Sequence, residues 1–220
     1  MNIDLGVAAR PAPPTYLPIA LVHPAWWAAC DEFLPVNELR MVCEAATADP
    51  AAFVQSAVLN YGGGGVEPGV RRSRVRYDEP TVLALFEERL RAYADTIFER
   101  LRMPPFPIRR LEVQLTATND GEYFRVHNDN THGQVRSRRV TFVYYFHREP
   151  KSFSGGNLRL YASSTDGQRW RETADYVDIE PVQNRLVVFP SFLMHELRPV
   201  VVPSGQFNDG RFTVNGWIHE

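Results

Sequence analysis

LEVQLTATNDGEYFRVHNDN, residues 111–130, and RVTFVYYFH, residues 139–147, decide the fold. β-Branched and aromatic residues crowd these runs, and Asn, Asp and Gly separate them, the pattern of short strands joined by turns. The same texture continues through NLRLYA (157–162), YVDIE (176–180), RLVVFP (185–190), ELRPVVV (196–202) and RFTVNGWIH (211–219), giving eight candidate strands. Upstream the pattern changes. Residues 36–48 (VNELRMVCEAATA) and 81–103 (TVLALFEERLRAYADTIFERLRM) read as helices, the second with Leu83, Phe86, Leu90, Tyr93, Ile97 and Leu101 at three-to-four spacing. Helices first and strands after predict a mainly β sandwich or jelly roll buttressed by helices on one outer face.

The expected organisation is one domain over residues 1–220: a proline-rich irregular arm (1–22), a helical support with a loop (23–106) and a β core (107–220). Within the support lies NYGGGGVEPGVRRSRVR, residues 60–76, where four consecutive glycines precede four arginines. It reads either as a mobile lid over a substrate or as a solvated surface connection.

With 24 Lys plus Arg against 26 Asp plus Glu, the net charge of -2 gives no global attraction to nucleic acid or an anionic membrane. The amino terminus lacks a basic start and long apolar run, so neither a secretory leader nor a membrane span is expected. Only Cys30 and Cys43 are present. Two thiols fit a reducing cytoplasm better than a disulfide framework. Oligomeric state is not readable from the chain.

In EYFRVHNDN, His127 and Asp129 stand two apart in an expected strand, a spacing that sends both side chains to one face. Completed by a second histidine, they form the facial set that binds non-haem Fe(II) with open positions for oxygen and a chelating cosubstrate. His195, in RLVVFPSFLMHELRPVVV, lies where one buried strand gives way to the next. Downstream, RFTVNGW puts Arg211, Thr213, Asn215 and Trp217 on one strand face, and an arginine there can grip a carboxylate in bidentate fashion.

Through VHNDN, RVTFVYYFHRE, SGGNLRLY, IEPVQNRLVVFPS, HELRPV and RFTVNGW, in that order, the chain resembles the 2-oxoglutarate oxygenases of the prolyl hydroxylase type, including the hypoxia-inducible-factor prolyl hydroxylases and their bacterial relatives. The resemblance implies a double-stranded β-helix (jelly-roll, cupin-like). It makes His127, Asp129 and His195 the iron ligands and catalytic centre, with Arg211 pairing the distal carboxylate of 2-oxoglutarate. Tyr145 falls where the family places a tyrosine hydroxyl on that carboxylate, and Thr213 and Trp217 line the pocket beside Arg211. Fe(II), 2-oxoglutarate and O2 are the implied cofactor and cosubstrates, with ascorbate as a stimulant. The implied reaction hydroxylates an unactivated C–H bond of a prolyl residue, an amino acid or a small natural product, releasing succinate and CO2. The partner is then a small-molecule or peptidyl substrate. The interval from His195 to Arg211 is longer than in familiar prolyl hydroxylases, filled by PSGQFNDG, and the helical half resembles the family only in texture.

Two rival readings remain: a non-catalytic cupin-like metal- or ligand-binding module, and a Zn or Mn enzyme. Arg211 argues against both, and no HExxH motif supports the second. His23, His147 and His219 read as structural or surface residues; His132 reads as a loop residue that could touch substrate. Arg136, Arg138 and Arg139, with Arg71, Arg72, Arg74 and Arg76, either flank the entrance or lie on a solvated surface.

Overall fold

The structure, a computed structural model, describes residues 21–60, 63–131 and 133–220. Most of the expected arm, part of the glycine run and His132 lie outside the described residues. Eight strands carry the fold: β1 (Arg110–Thr118), β2 (Tyr123–His127), β3 (Arg138–Phe146), β4 (Leu158–Thr165), β5 (Trp170–Ile179), β6 (Arg185–Pro190), β7 (His195–Leu197) and β8 (Arg211–His219). Each expected strand falls on one of them. ELRPVVV is shortened to β7 because Arg198 and Pro199 interrupt it, and Val200–Val201 pairs instead with Ser154–Gly155.

β3 pairs antiparallel with β6 and β8, and β8 with β1. Ala28–Cys30 extends this sheet beyond β6, and Arg74–Arg76 and Val54–Gln55 extend it beyond β1. The second sheet holds β2, β7, β4 and β5, with Leu21–His23 on β4 and Arg71–Arg72 on β2. The sheets meet face to face, since Tyr145, Val187 and Phe189 of the first cluster with Leu158, Leu160 and Ile179 of the second. This is the expected jelly roll.

Strand alternation divides β3 between two cores. Its outward residues Phe142, Tyr144 and Phe146 pack on the helices α1 (Val36–Thr47), α2 (Pro80–Ala92) and α3 (Ala94–Arg100) through Val42, Phe86, Leu90 and Phe98. Its inward residues Thr141, Val143 and Tyr145 face the second sheet. Burying side chains such as Phe86 and Leu90 is worth about 1.5–3 kcal/mol each. The expected helix 81–103 is two, because Tyr93 leaves the helical region at φ -94, ψ 4. The apolar stripe runs through the break, with Leu90, Ile97 and Leu101 all buried.

Gly216 sets the approach of β8 to β1: a Cβ there would stand 1.7 Å from the Glu112 carbonyl oxygen, so no other residue fits this register. The support is also not helical throughout. Short strands at 28–30, 54–55, 71–72 and 74–76 complete sheet edges that alternation-based reading missed. Residues 71–76, expected in a mobile loop, are instead strapped to β2 and β1 by backbone pairing. Val58–Asn60 and Gly63–Gly65 pair with each other and, like the Ser154–Gly155 and Val200–Val201 pair, lie off both sheets.

Candidate active site

His127 and His195 are register partners on β2 and β7, so their rings meet with centroids 4.2 Å apart. Between Phe124 and His127 the β2 register slips by one residue against β7. The slip lets both Phe124 and His127 reach the sheet interior, where their rings stack at 3.6 Å. Asp129 is not within the strand as expected, because β2 ends at His127. It is held instead by its backbone N–H on the Ser191 carbonyl at 2.9 Å and by the Thr141 hydroxyl, which donates to Oδ2 at 2.7 Å.

The three side chains converge, one ligand atom from each lying within 4.8 Å of the others. His127 Nδ1 donates to the Arg125 carbonyl at 2.8 Å and His195 Nδ1 to the Leu193 carbonyl at 2.9 Å. A carbonyl can only accept, so these bonds fix the tautomers and turn both Nε2 atoms toward Asp129, at 3.6 and 3.4 Å from Oδ1 and Oδ2. Burial, reinforced by His195, pushes His127 down to about 3, so it is neutral and its Nε2 presents a lone pair. Asp129 lies below the ordinary carboxylate value: burial would raise it, the charges that His195 and His127 bear when protonated lower it, and the Thr141 hydroxyl favours the carboxylate without needing such a charge. A lone pair facing a carboxylate is repulsive unless a cation lies between them, and this donor set suits a divalent metal.

Beside the triad lies a small chamber of about 90 Å³, lined by Thr141, Leu158, Leu197 and the alternating Arg211, Thr213, Asn215 and Trp217 of β8. The expected shared face of β8 is thus observed. Arg211 is 4% exposed, and no described carboxylate forms an ion pair with it. Its guanidinium carbon lies 4.9 Å from the Tyr145 ring centroid. Burial lowers the Arg211 guanidinium and raises the Tyr145 hydroxyl, and each partly offsets the other. Nevertheless Arg211 Nε and Tyr145 Oη, with Thr118 Oγ1, Gln114 Nε2 and Trp217 Nε1, are buried without a hydrogen bond of normal geometry. Trp217 Nε1 still contributes, after the groups above, to holding Asp129 ionised. Four of these five atoms belong to residues that line the small chamber, with Tyr145 packed against Arg211, and orphan polar atoms this dense call for a polar ligand.

Thr213 donates to Asn215 Oδ1 at 3.2 Å, and Thr116 to the same oxygen at 2.7 Å. Gln114, Thr116 and Thr118 of β1, which the sequence reading did not single out, line the same chamber because they sit opposite Asn215, Thr213 and Arg211. Their common parity in LEVQLTAT was the available signal. A larger chamber of about 520 Å³ adjoins the first and shares with it Arg71, Gln114, Phe124, Asp129 and Trp217. Of the seven arginines noted above, only Arg71 and Arg138 line it. Arg138 stacks over Trp217 at 3.5 Å and pairs with Glu112 at 2.5 Å. His219 is buried against Ser137, His147 against Phe153, and His23 packs among Trp26, Trp170 and Phe192, all structural settings.

Residues 113–219 match the 2OG-Fe(II) oxygenase superfamily. The chain is 41% identical over 152 residues to an uncharacterized PKHD-type hydroxylase of Synechocystis sp., a match covering 68% of this chain and 50% of that protein. It therefore spans about half the length of that relative. Among solved structures it resembles a Pseudomonas putida prolyl-4-hydroxylase, with TM-score 0.62 and 21% identity over 88% of this chain and 92% of that one. A Trichoplax adhaerens prolyl hydroxylase, in complex with a hypoxia inducible factor oxygen degradation domain peptide fragment, gives 0.63 and 20% over 88% and 83%. At these identities the structural likeness shows the fold.

Proposed function

We propose that this chain, whose residues 113–219 match the 2OG-Fe(II) oxygenase superfamily, is a hydroxylase in which His127, Asp129 and His195 hold Fe(II) and Arg211 anchors 2-oxoglutarate. The carrying observation is Arg211, a buried cation without a described carboxylate partner, beside a neutral imidazole turned toward a carboxylate. A metal-binding module has no need of such an anion anchor, whereas a dicarboxylate cosubstrate satisfies it. When bound, iron and 2-oxoglutarate supply the oxidation: O2 is consumed, a substrate C–H becomes C–OH, and succinate and CO2 leave.

The chain's own residues bind, orient and exclude water. The carbonyls of Arg125 and Leu193 hold the two imidazoles by Nδ1, keeping Nε2 available for the metal. Thr141 orients Asp129. Arg211 and the Tyr145 hydroxyl take the distal carboxylate, with Thr213 and Trp217 forming the wall beside it, and Leu158, Leu197 and Val143 keep the chamber apolar where no hydrogen bond is offered. The larger chamber receives the substrate: a prolyl residue, a free amino acid or a small natural product.

The reading takes residues 1–220 as one domain, supported by the shared core of the helices and the first sheet. It includes stimulation by ascorbate and a cytoplasmic setting, consistent with Cys30 and Cys43 as free thiols. Among the described residues no helix is long and apolar enough to cross a membrane. The test is an anaerobic titration with Fe(II) and 2-oxoglutarate, followed by oxygen and substrate panels with and without ascorbate. A weak visible charge-transfer band and substrate-stimulated succinate release are expected. No band and no cosubstrate binding would overturn the assignment.

A further inference from the structure

The junction of the two chambers carries a second cation that the hydroxylase reading does not use. Arg71 lines both chambers, and its guanidinium lies 4.8 Å over the Phe124 ring, which stacks at 3.6 Å on His127. Arg71 Nε donates to Ser73 Oγ at 2.8 Å, and Ser73 is pinned by Ser56 at 2.8 Å, both serines being 2% exposed. The guanidinium is thus held in place by a ring on one side and a buried hydroxyl on another. No described carboxylate forms an ion pair with it, and burial lowers it to about 10, still fully charged at neutral pH. Asp129, the carboxylate at the junction, acts on Arg71 through space but is committed to the metal site, and two further neighbours there are donors. Gln114, 7% exposed, has an unpartnered Nε2, and Trp217 Nε1, which lacks a hydrogen bond of normal geometry, leans toward Asp129. Of the other charged residues on the larger chamber, Glu112 is neutralised by Arg138 and Arg110. A fixed, partly buried cation beside an orphan donor, with no carboxylate in ion-pair contact, selects an acceptor-rich anion.

We propose that Arg71 is the specificity residue for the primary substrate, and that this substrate carries a carboxylate which the Arg71 guanidinium binds in the larger chamber while the target C–H faces the metal site. The inference rests on the hydroxylase reading and adds its substrate class. The same carboxylate chemistry has two sources, the α-carboxylate of a free amino acid and an acidic side chain beside the target residue of a peptide. The cosubstrate is a separate anion, because Arg211 lies in the small chamber and Arg71 at its junction with the large one.

The experiment uses the full chain loaded with Fe(II) and 2-oxoglutarate and reads substrate-stimulated succinate release. One arm supplies the proteinogenic L-amino acids as free acids and as primary amides. The other supplies short proline-centred peptides with blocked termini and either Glu or Gln beside the proline. The expected result is a preference of at least about tenfold in kcat/KM for the acid over its neutral isostere in one arm, and the arm identifies the source. Arg71→Gln should erase that preference mainly through substrate KM with little change in the 2-oxoglutarate KM, and Arg71→Lys should restore part of it. Equal turnover of acid and neutral probes, or no stimulation in either arm while the charge-transfer band is present, overturns the proposal alone. So does a rise in 2-oxoglutarate KM in Arg71→Gln as large as that for substrate, because Arg71 then serves the cosubstrate. Failure of the band to form in the unaltered protein removes the hydroxylase reading, and this inference with it.

Discussion

His127 and His195 face each other across β2 and β7, and each donates its Nδ1 proton to the carbonyl two residues before it, Arg125 and Leu193 respectively. The pair therefore presents two Nε2 atoms in one orientation, with Asp129 as the third donor. Replacing His127, Asp129 or His195 with Ala should lower turnover by more than about 100-fold while circular dichroism shows the fold retained. Thr141→Val, which removes the hydroxyl orienting Asp129, should weaken Fe(II) by about 10- to 100-fold. Iron titration followed by the charge-transfer band reads this directly, and unchanged affinity in Thr141→Val would show that Asp129 needs no such support.

Arg211→Ala should raise the 2-oxoglutarate KM by about 100-fold and leave Fe(II) affinity nearly unaltered, since the charge removed is the distal anchor and not a ligand. Tyr145→Phe should act in the same direction by about three- to tenfold, the worth of one hydrogen bond. Steady-state kinetics at saturating iron separates the two effects. Equal losses of iron and cosubstrate affinity in Arg211→Ala would point to collapse of the pocket.

Gly156 is the backstop of Arg211. Its φ of +67 disfavours any side chain, and a Cβ there would lie 2.8 Å from Arg211 Cδ and 2.9 Å from Val200 Cγ2. Gly156→Ala should cost roughly 1–2 kcal/mol in urea unfolding and weaken 2-oxoglutarate beyond what that loss explains. A variant with full cosubstrate affinity would show that Arg211 has room to move.

The metal-free protein should lose stability as pH falls below neutrality. His127 drops from an ordinary 6.5 to about 3 on folding, so between those values the unfolded chain takes up a proton that the folded chain refuses. Stability from this group is complete above 6.5 and declines as pH approaches 3, by no more than about 1.4 kcal/mol per pH unit. Urea midpoints measured at intervals between pH 7 and pH 4 should show a shallower slope in His127→Gln. Parallel slopes in the two proteins would exclude the neutral buried imidazole.

Much of this site was legible because strand parity survives folding. Alternation in RFTVNGW predicts that Arg211, Thr213, Asn215 and Trp217 share a face, and all four line one chamber. Thr141, Val143 and Tyr145 likewise point inward from β3. Asp129 converges with the two histidines for a reason parity does not contain: the strand stops at His127, and Ser191 and Thr141 supply the hold. Arg71 was only one of a cluster of arginines, since a two-residue strand such as Arg71–Arg72 is too short to show a period. Its pairing with Tyr123 and Phe124 spans a sequence separation that no local pattern reports.

The two chambers share Arg71, Gln114, Phe124, Asp129 and Trp217, and this common wall constrains how such a protein can diversify. Asp129, Phe124 and Trp217 in that wall stand against the metal site as well as the larger chamber, so a lineage that explores new substrates through them risks the reaction itself. Ala57, Val58, Tyr77 and Leu83 line the larger chamber alone, and they hang from short edge segments and from α2. Drift can accumulate at those positions while the oxidising machinery stays fixed, and a directed-evolution library aimed at new substrates should be confined to them.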